Sequence, residues 1–466
     1  MKKVAIVYGE MKNDLQKRAV EEMTKILLDC TVAYPVCAPY GEPLDAEAYK
    51  FVYIGTKANN PHIRETSKTE LTVPESYAIT VADDTVTVEG FDDAGVLYGV
   101  LDFYNKYIVK NEKPTVPEHL GQLFTEETLP GFFCTSAPTV KERGLWTWGH
   151  VIYDYRDYLH NMMLLKMNGV IIWNDFVPAN VEEIVAYAHS CNIKVYWGFS
   201  WLWGVDCSKK DLNNLAGEPE KIFAKYEKEY ASASGDGIYF QTFTELKTDN
   251  IDGVLVAEAA TKFVNETSAL FYEKYPNIEI QFGLHATSVK DKLSFLRAVD
   301  PRIRIVWEDC GAMPFAYSPV DLREYDATGE LVGKIANLRG EDDRFGVVTK
   351  AFVTLDWPHF VHLTGSQCIG VSSKAMKHNR VDRKSRAWRF SQAGWLINAD
   401  KAQDMIVEMC RLKKGDFSSF ALVEDGMFEE NIPYPVALYA EMLWNATADV
   451  KQLTYDVALR SYVSFA

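Results

Sequence analysis

At 466 residues the chain is long enough to bury a sizeable core and to hold more than one domain, a whole barrel among them. Acidic residues outnumber basic ones, 65 to 49, for a formal net charge of −16, and no long basic tract breaks the balance, so nucleic acid and anionic membranes are excluded as partners. The eight cysteines are scattered, with no CxxC and no nearby Cys/His quartet, which signals neither a zinc site nor a disulfide framework and points to a cytoplasmic protein with reduced thiols.

The first apolar run, Val4 to Tyr8, is too short for a signal peptide and reads as a strand, and no uninterrupted apolar run approaches membrane-spanning length. Asn13 can cap a helix in which Leu15, Ala19, Met23, Ile26 and Leu27 recur at helical spacing. Residues 51–55 (FVYIG) form another strand, and 77–81 pairs with 85–89 through an Asp83-Asp84 turn. Asp92 or Asp93 then caps a helix whose Ala94, Gly95 and Gly99 let it lie close on a sheet. Residues 1–125 therefore read as a compact α+β domain, with the linker in the loop-like stretch 111–138, marked by Pro114, Pro117, Pro130 and Pro138.

Beyond the linker the pattern becomes strand, helix, strand, helix. Strands are expected at 144–148, 170–173, 194–199, 238–244, 278–282, 303–307, 345–353 and 367–371, with helices at 155–167, 181–191, 219–231, 254–275 and 289–298 between them. Apolar strands alternating with amphipathic helices demand a parallel sheet, and eight such units close into an α/β (β/α)8 TIM barrel over 139–381. An open doubly wound sheet is the alternative, but no Gly-rich phosphate turn follows the first strand. Residues 382–466 read as the eighth helix and a helical C-terminal extension.

In such barrels reactive groups project from the C-terminal ends of the strands. Those ends offer Trp146, Trp148 and His150, then Asn174 and Asp175, then Trp201 and Trp203. Strand four, in GDGIYFQTFTELKTD, ends at Glu245; strand five offers His285, strand six Glu308 and Asp309, and strand seven Lys350 and Asp356. Cleaving a glycosidic bond needs one carboxylic acid to protonate the leaving oxygen and a second carboxylate to activate water or attack the sugar. Glu245 and the Glu308-Asp309 pair come from strands four and six, which can face each other across a cleft. Aromatics are 13% of residues, which suits a cleft that stacks sugar faces.

Each residue also has a plain structural reading. A carboxylate after a strand is often a helix cap or an ion-pair partner, and only one of two adjacent acids can face the cleft if the pleat continues. His285 is equally a hydrogen-bonded core histidine, and one tryptophan of each alternating pair should point outward. Asp356, His359 and His362 have a spacing that suits a metal on a helix, but Pro358 breaks it, so no metal is expected.

These residues resemble the glycoside hydrolase family 67 α-glucuronidases. The likeness is carried by ESYAITVADDTVTVEGFDDAGVLYGVLDFYNKY (75–107), similar to the N-terminal domain shared by families 67 and 20, by MNGVIIWND (167–175), and by VALYAEMLWNATADVKQLTYDVALRSYV (436–463). The resemblance implies that Glu245 is the general acid and that water-activating carboxylates sit on strands six and seven. Strand six supplies Glu308 or Asp309; strand seven departs, since Val348-Thr349-Lys350-Ala351 has no acid there. Family 20 β-hexosaminidases fit less well, because they need an Asp just before the acid and Thr244 stands there.

The expected function is an exo-acting, α-glucuronidase-like glycoside hydrolase for short oligosaccharides, with Glu245 as acid and Asp309 or Glu308 as base or nucleophile. The tryptophans would supply stacking walls, and His150, Asn174, His285 and Lys350 the polar contacts. A small carbohydrate is the expected partner, no cofactor is implied, and a homodimer is an option for assembly. The alternatives are a non-catalytic carbohydrate-binding protein on a degenerate barrel and a β-hexosaminidase-like hydrolase, with a lyase a poorer third.

Overall fold

The computed structural model describes residues 2–30, 35–111, 123–125, 128–149, 152–174, 176–204, 211–243, 246, 248–286, 288–309, 325–352, 364–370, 373–375, 378–379, 389, 392–414, 416–423 and 427–465. The chain forms two compact units, Met1–Pro138 with His189–Asn192, and Thr139–Ala188 with Ile193–Ala466.

The first unit runs β1 (Lys3–Tyr8), α1 (Asp14–Cys30), β2 (Val36–Pro39), β3 (Tyr49–Gly55), α2 (Pro61–Thr66), β4 (Tyr77–Ala82), β5 (Thr85–Gly90), α3 (Asp93–Asp102) and β6 (Phe132–Ser136). Its sheet has the order β2-β1-β3-β5-β4-β6, parallel from β2 to β5 and antiparallel at β4 and β6. The β4–β5 turn forms as expected, with Asp83 and Asp84 both left-handed at φ 47° and 63°. Asp92 caps α3, its Oδ1 accepting from the Gly95 N–H at 2.8 Å. A Cβ at Gly95 would overlap the Ser76 carbonyl oxygen, and one at Gly99 would overlap Val88, so these glycines do bring α3 onto the sheet. Not all of the expected linker is loop: 132–136 is an edge strand on β4, and the unit extends to Pro138. Pro130 and Pro138 bracket this strand and mask it among loop signals.

In the second unit eight parallel strands close on themselves: Glu142–Trp148, Gly169–Trp173, Lys194–Ser200, Gly237–Gln241, Glu279–His285, Arg304–Glu308, Phe345–Phe352 and Phe417–Val423. The expected (β/α)8 barrel is therefore present, and its strands are numbered one to eight below. Strand eight is not where it was expected. Residues 367–370 give their backbone hydrogen bonds to the loops after strands one and two: Ala179 N–H to Gln367 O at 2.9 Å, Ile369 N–H to Asn180 Oδ1 at 2.9 Å, and Gly370 N–H to Ile152 O at 3.2 Å. They form a strap on the C-terminal side of those strands. The barrel closes instead through Phe417–Val423, which pairs with strands seven and one, so it runs well past residue 381 into the stretch expected to be helical. Helices Tyr155–Leu164, Val181–Ser190, Glu218–Glu229, Val256–Lys274, Tyr325–Ala336, Ala399–Leu412, Tyr434–Trp444 and Val450–Ala458 surround it, while the helix expected at 289–298 shrinks to one turn, Leu293–Leu296. No helix among the described residues is long and apolar enough to cross a membrane.

Inside the barrel Trp146, Ile171, Trp173, Tyr196, Tyr239, Val306, Val348, Phe420 and Leu422 form the apolar core. Below it, at the N-terminal ends of the strands, Arg304 is enclosed by three carboxylates: Glu279 at 3.1 Å, Asp416 at 3.2 Å and Glu142 at 3.4 Å. Burial opposes the cation, but the three carboxylates outweigh it and raise its pKa.

Candidate active site

Polar groups gather above the apolar core, at the C-terminal ends of strands four to seven. On strand six Val306 faces the axis, so two residues on Glu308 does too and Asp309 points away. Glu308 is 0% exposed. Its Oε1 accepts hydrogen bonds from Tyr239 Oη and Gln241 Nε2, both on strand four, and its Oε2 meets Lys350 Nζ of strand seven at 2.8 Å. Gly283 on strand five makes room, since a Cβ there would overlap both the Tyr239 hydroxyl and the Glu308 carboxylate.

Burial alone would push the Glu308 carboxyl up. The charges of Lys350 and His285, together with hydrogen bonds from Lys350 and Tyr239, outweigh it and hold the group below its ordinary 4.5. Tyr239 is driven well above the ordinary phenol range by burial and by the Glu308 charge, so it stays a neutral donor. The site thus holds a carboxylate and an ammonium together, with the Tyr239 hydroxyl, the Gln241 amide and His285 beside them.

The aromatic upper part of the core borders this cluster. Trp146 lies 6.1 Å from Tyr239 and 6.3 Å from Trp173, Trp203 meets Trp173 edge-on at 5.9 Å, and Lys350 Nζ stands 5.9 Å from the Trp146 ring centre. His285 ends strand five opposite Glu308 in the ladder, half-buried. Of the residues singled out from the sequence, Trp146, Trp203, His285, Glu308 and Lys350 therefore come together.

Others do not. Asp309 binds strand seven: its Oδ1 accepts from the Lys350 N–H at 2.6 Å and its Oδ2 from Thr349 Oγ1 at 2.9 Å. It faces away from the axis, with both carboxylate oxygens engaged on strand seven rather than turned toward Glu308. Trp201 is 0% exposed and stacks on Phe240 at 3.7 Å and on Phe271 at 5.4 Å, between the barrel and the helix Val256–Lys274. It is core rather than a sugar platform. Trp201→Ala is expected to cost about 3–5 kcal/mol in chemical unfolding and to leave the site's ligand affinity unchanged in the folded fraction.

Asn174 follows Trp173 and points off the axis, against Gly149, with its backbone O accepting from Tyr230 Oη at 2.5 Å. Its side-chain amide is buried with no hydrogen-bond partner among the described residues. Glu245, His150, Asp175, Asp356, His359 and His362 lie outside the described residues, as does the side chain of Trp148. Among the described residues no group of three or more His, Cys, Asp or Glu is placed to hold a metal ion. Tyr239, Gln241 and Trp173 were not singled out from the sequence; a glutamine inside the apolar run YFQTF was the available signal.

No protein-family model and no curated protein matches the chain. Solved structures do. The GH20 β-N-acetylhexosaminidase from Streptomyces coelicolor A3(2) superposes with a TM-score of 0.59 at 11% identity, over 99% of this chain and 93% of that one. A GH138 enzyme targeting pectin rhamnogalacturonan II gives 0.56 at 12% identity over 97% of this chain, and a GH115 4-O-methyl-α-glucuronidase with specificity for decorated arabinogalactans gives 0.54 at 12% over 97%. The chain spans 65% of the GH138 enzyme's length and 58% of the GH115 enzyme's. What these likenesses establish is the fold: a barrel unit and its companion unit of the kind found in several glycoside hydrolases.

Proposed function

We propose that the protein is a glycoside hydrolase that removes a terminal sugar from a short oligosaccharide, with Glu245 as general acid and Glu308 as the second carboxylate. The observation that carries this reading is the geometry around Glu308 at the C-terminal ends of the strands, its Oε2 2.8 Å from Lys350 Nζ and aromatic rings beside it. An ionised carboxylate there stabilises the positive charge that develops on a sugar ring as its glycosidic bond breaks. The family 67 resemblance makes an α-linked uronic acid the first substrate to test, and an N-acetylhexosaminide the second. Lys350 stands on strand seven where family 67 supplies an acid, so among the described residues the partner proposed for Glu245 comes from strand six.

A non-catalytic sugar-binding role is favoured by one feature: Glu308 already accepts from Tyr239, Gln241 and Lys350. Hydrolysis of a panel of aryl glycosides, alongside calorimetric binding of the parent sugars, separates the two. Binding without turnover across the panel would overturn the hydrolase.

The pH dependence has a defined sign. Glu308 works ionised and its folded pKa lies below 4.5, so the acid limb of kcat/KM due to it should fall below pH 4.5. Its contribution to stability is likewise present above 4.5 and lost as pH falls through the folded pKa. Lys350→Met removes the main cation and should move that limb upward by about one pH unit or more.

A further inference from the structure

Strand seven changes its partners where the site begins. It is laddered to strand six through Val348, opposite Glu308, and its pairing with strand eight shifts register between Thr349 and Phe352. Thr349 and Lys350 therefore lie past the last paired position with strand six, in an irregular stretch of the kind that re-aims a side chain. A buried backbone N–H there has no place in the ladder and is costly to leave unpaired. The Asp309 carboxylate supplies the missing acceptor, taking the Lys350 N–H at 2.6 Å and the Thr349 hydroxyl at 2.9 Å. On the other face of the same strand, Lys350 Nζ reaches Glu308 at 2.8 Å.

We propose that Asp309 is a positioning residue: it clamps strand seven at Thr349 and Lys350 so that the Lys350 ammonium is held on Glu308. Two adjacent acids at the end of strand six then divide the work, Glu308 facing the axis and Asp309, just past the strand, fixing the cation that Glu308 needs. Among the described residues the groups facing Glu308 are Lys350 from strand seven, His285 from strand five, and Tyr239 and Gln241 from strand four. Of these, Lys350 is held by Asp309 through its backbone N–H. On its own side Asp309 acts on the phenol of Tyr439, in the helix Tyr434–Trp444. The catalytic consequence of the clamp rests on the function proposed above, whereas the clamp itself is testable without any substrate.

The test is a double-mutant cycle read by thermal unfolding of the full chain at pH 7, with Asp309→Ala, Lys350→Met and the double variant. The clamp predicts strong non-additivity: with Asp309 gone, Lys350→Met should shift the melting temperature by less than a third of its shift in the parent. Asp309→Asn, which keeps one acceptor for the Lys350 N–H, should restore most of the Lys350→Met effect and serves if the alanine variant does not fold. Equal shifts from Lys350→Met in every background would overturn the proposal, because a general structural role adds to it independently. If glycosidase activity is found, Asp309→Ala should also move the acid limb of kcat/KM upward as Lys350→Met does, with no further move in the double variant. If no glycoside is cleaved, the function proposed above fails while the melting cycle still decides the clamp.

Discussion

Glu245→Gln is expected to lower kcat/KM by about 10²–10⁴-fold on a substrate with an ordinary sugar leaving group, with the melting temperature unchanged. Glutamine keeps the size and hydrogen-bonding reach of glutamate but has no proton to give. The loss should therefore depend on the leaving group. A nitrophenolate departs without protonation, so activated aryl glycosides should retain most of their rate, whereas alkyl or disaccharide substrates should lose nearly all of it. Steady-state rates across a series of leaving groups measure this. Equal losses for good and poor leaving groups would assign Glu245 another role and return the search for the acid to the other strand ends.

The second large effect concerns stability at the opposite end of the barrel. Arg304 is 1% exposed and balances Glu142, Glu279 and Asp416, while Arg344 assists at Glu279 and Asp416 and Lys194 at Glu142. Arg304→Met fills much of the same volume but leaves three carboxylates short of their shared cation, and a loss of about 3–5 kcal/mol is expected in urea unfolding. Glu142→Gln placed in the Arg304→Met background should recover part of the loss, because it removes one of the charges left without a cation. A further loss in the double variant would show that lost packing, rather than unpaired charge, is what the substitution costs.

Much of the fold was legible in the sequence because its strands are apolar runs bounded by turn residues: strands one to seven lie close to where the sequence places them. The eighth was misplaced. QCIGV looks as strand-like as FSSFALV, and what separates them is where their backbone hydrogen bonds go, which is a tertiary fact. The site was legible as a set of strand ends but not as a geometry. Barrel strands are buried on both faces, so no polar alternation marks the inner one, and the choice between Glu308 and Asp309, or between Trp201 and Trp203, depends on how the strands tilt on closing. Tyr239 and Gln241 lie inside a buried strand with no sequence mark of a site, and their part follows from their hydrogen bonds to Glu308, a contact between strands.

The place of the closing strand bears on how the chain is made. Strand one must wait for Phe417–Val423, nearly the whole length of its unit later, before both of its edges are covered. During synthesis the growing sheet has two open borders, strand one and whichever strand has emerged last, each presenting unpaired backbone groups to any passing chain. The long connection after strand seven, strapped at 367–370 onto the loops of strands one and two, ties the late part of the chain to its early part. Whenever that tie forms before the final strand docks, it leaves a shorter loop to close, because ends already tethered meet at lower entropic cost than free ones.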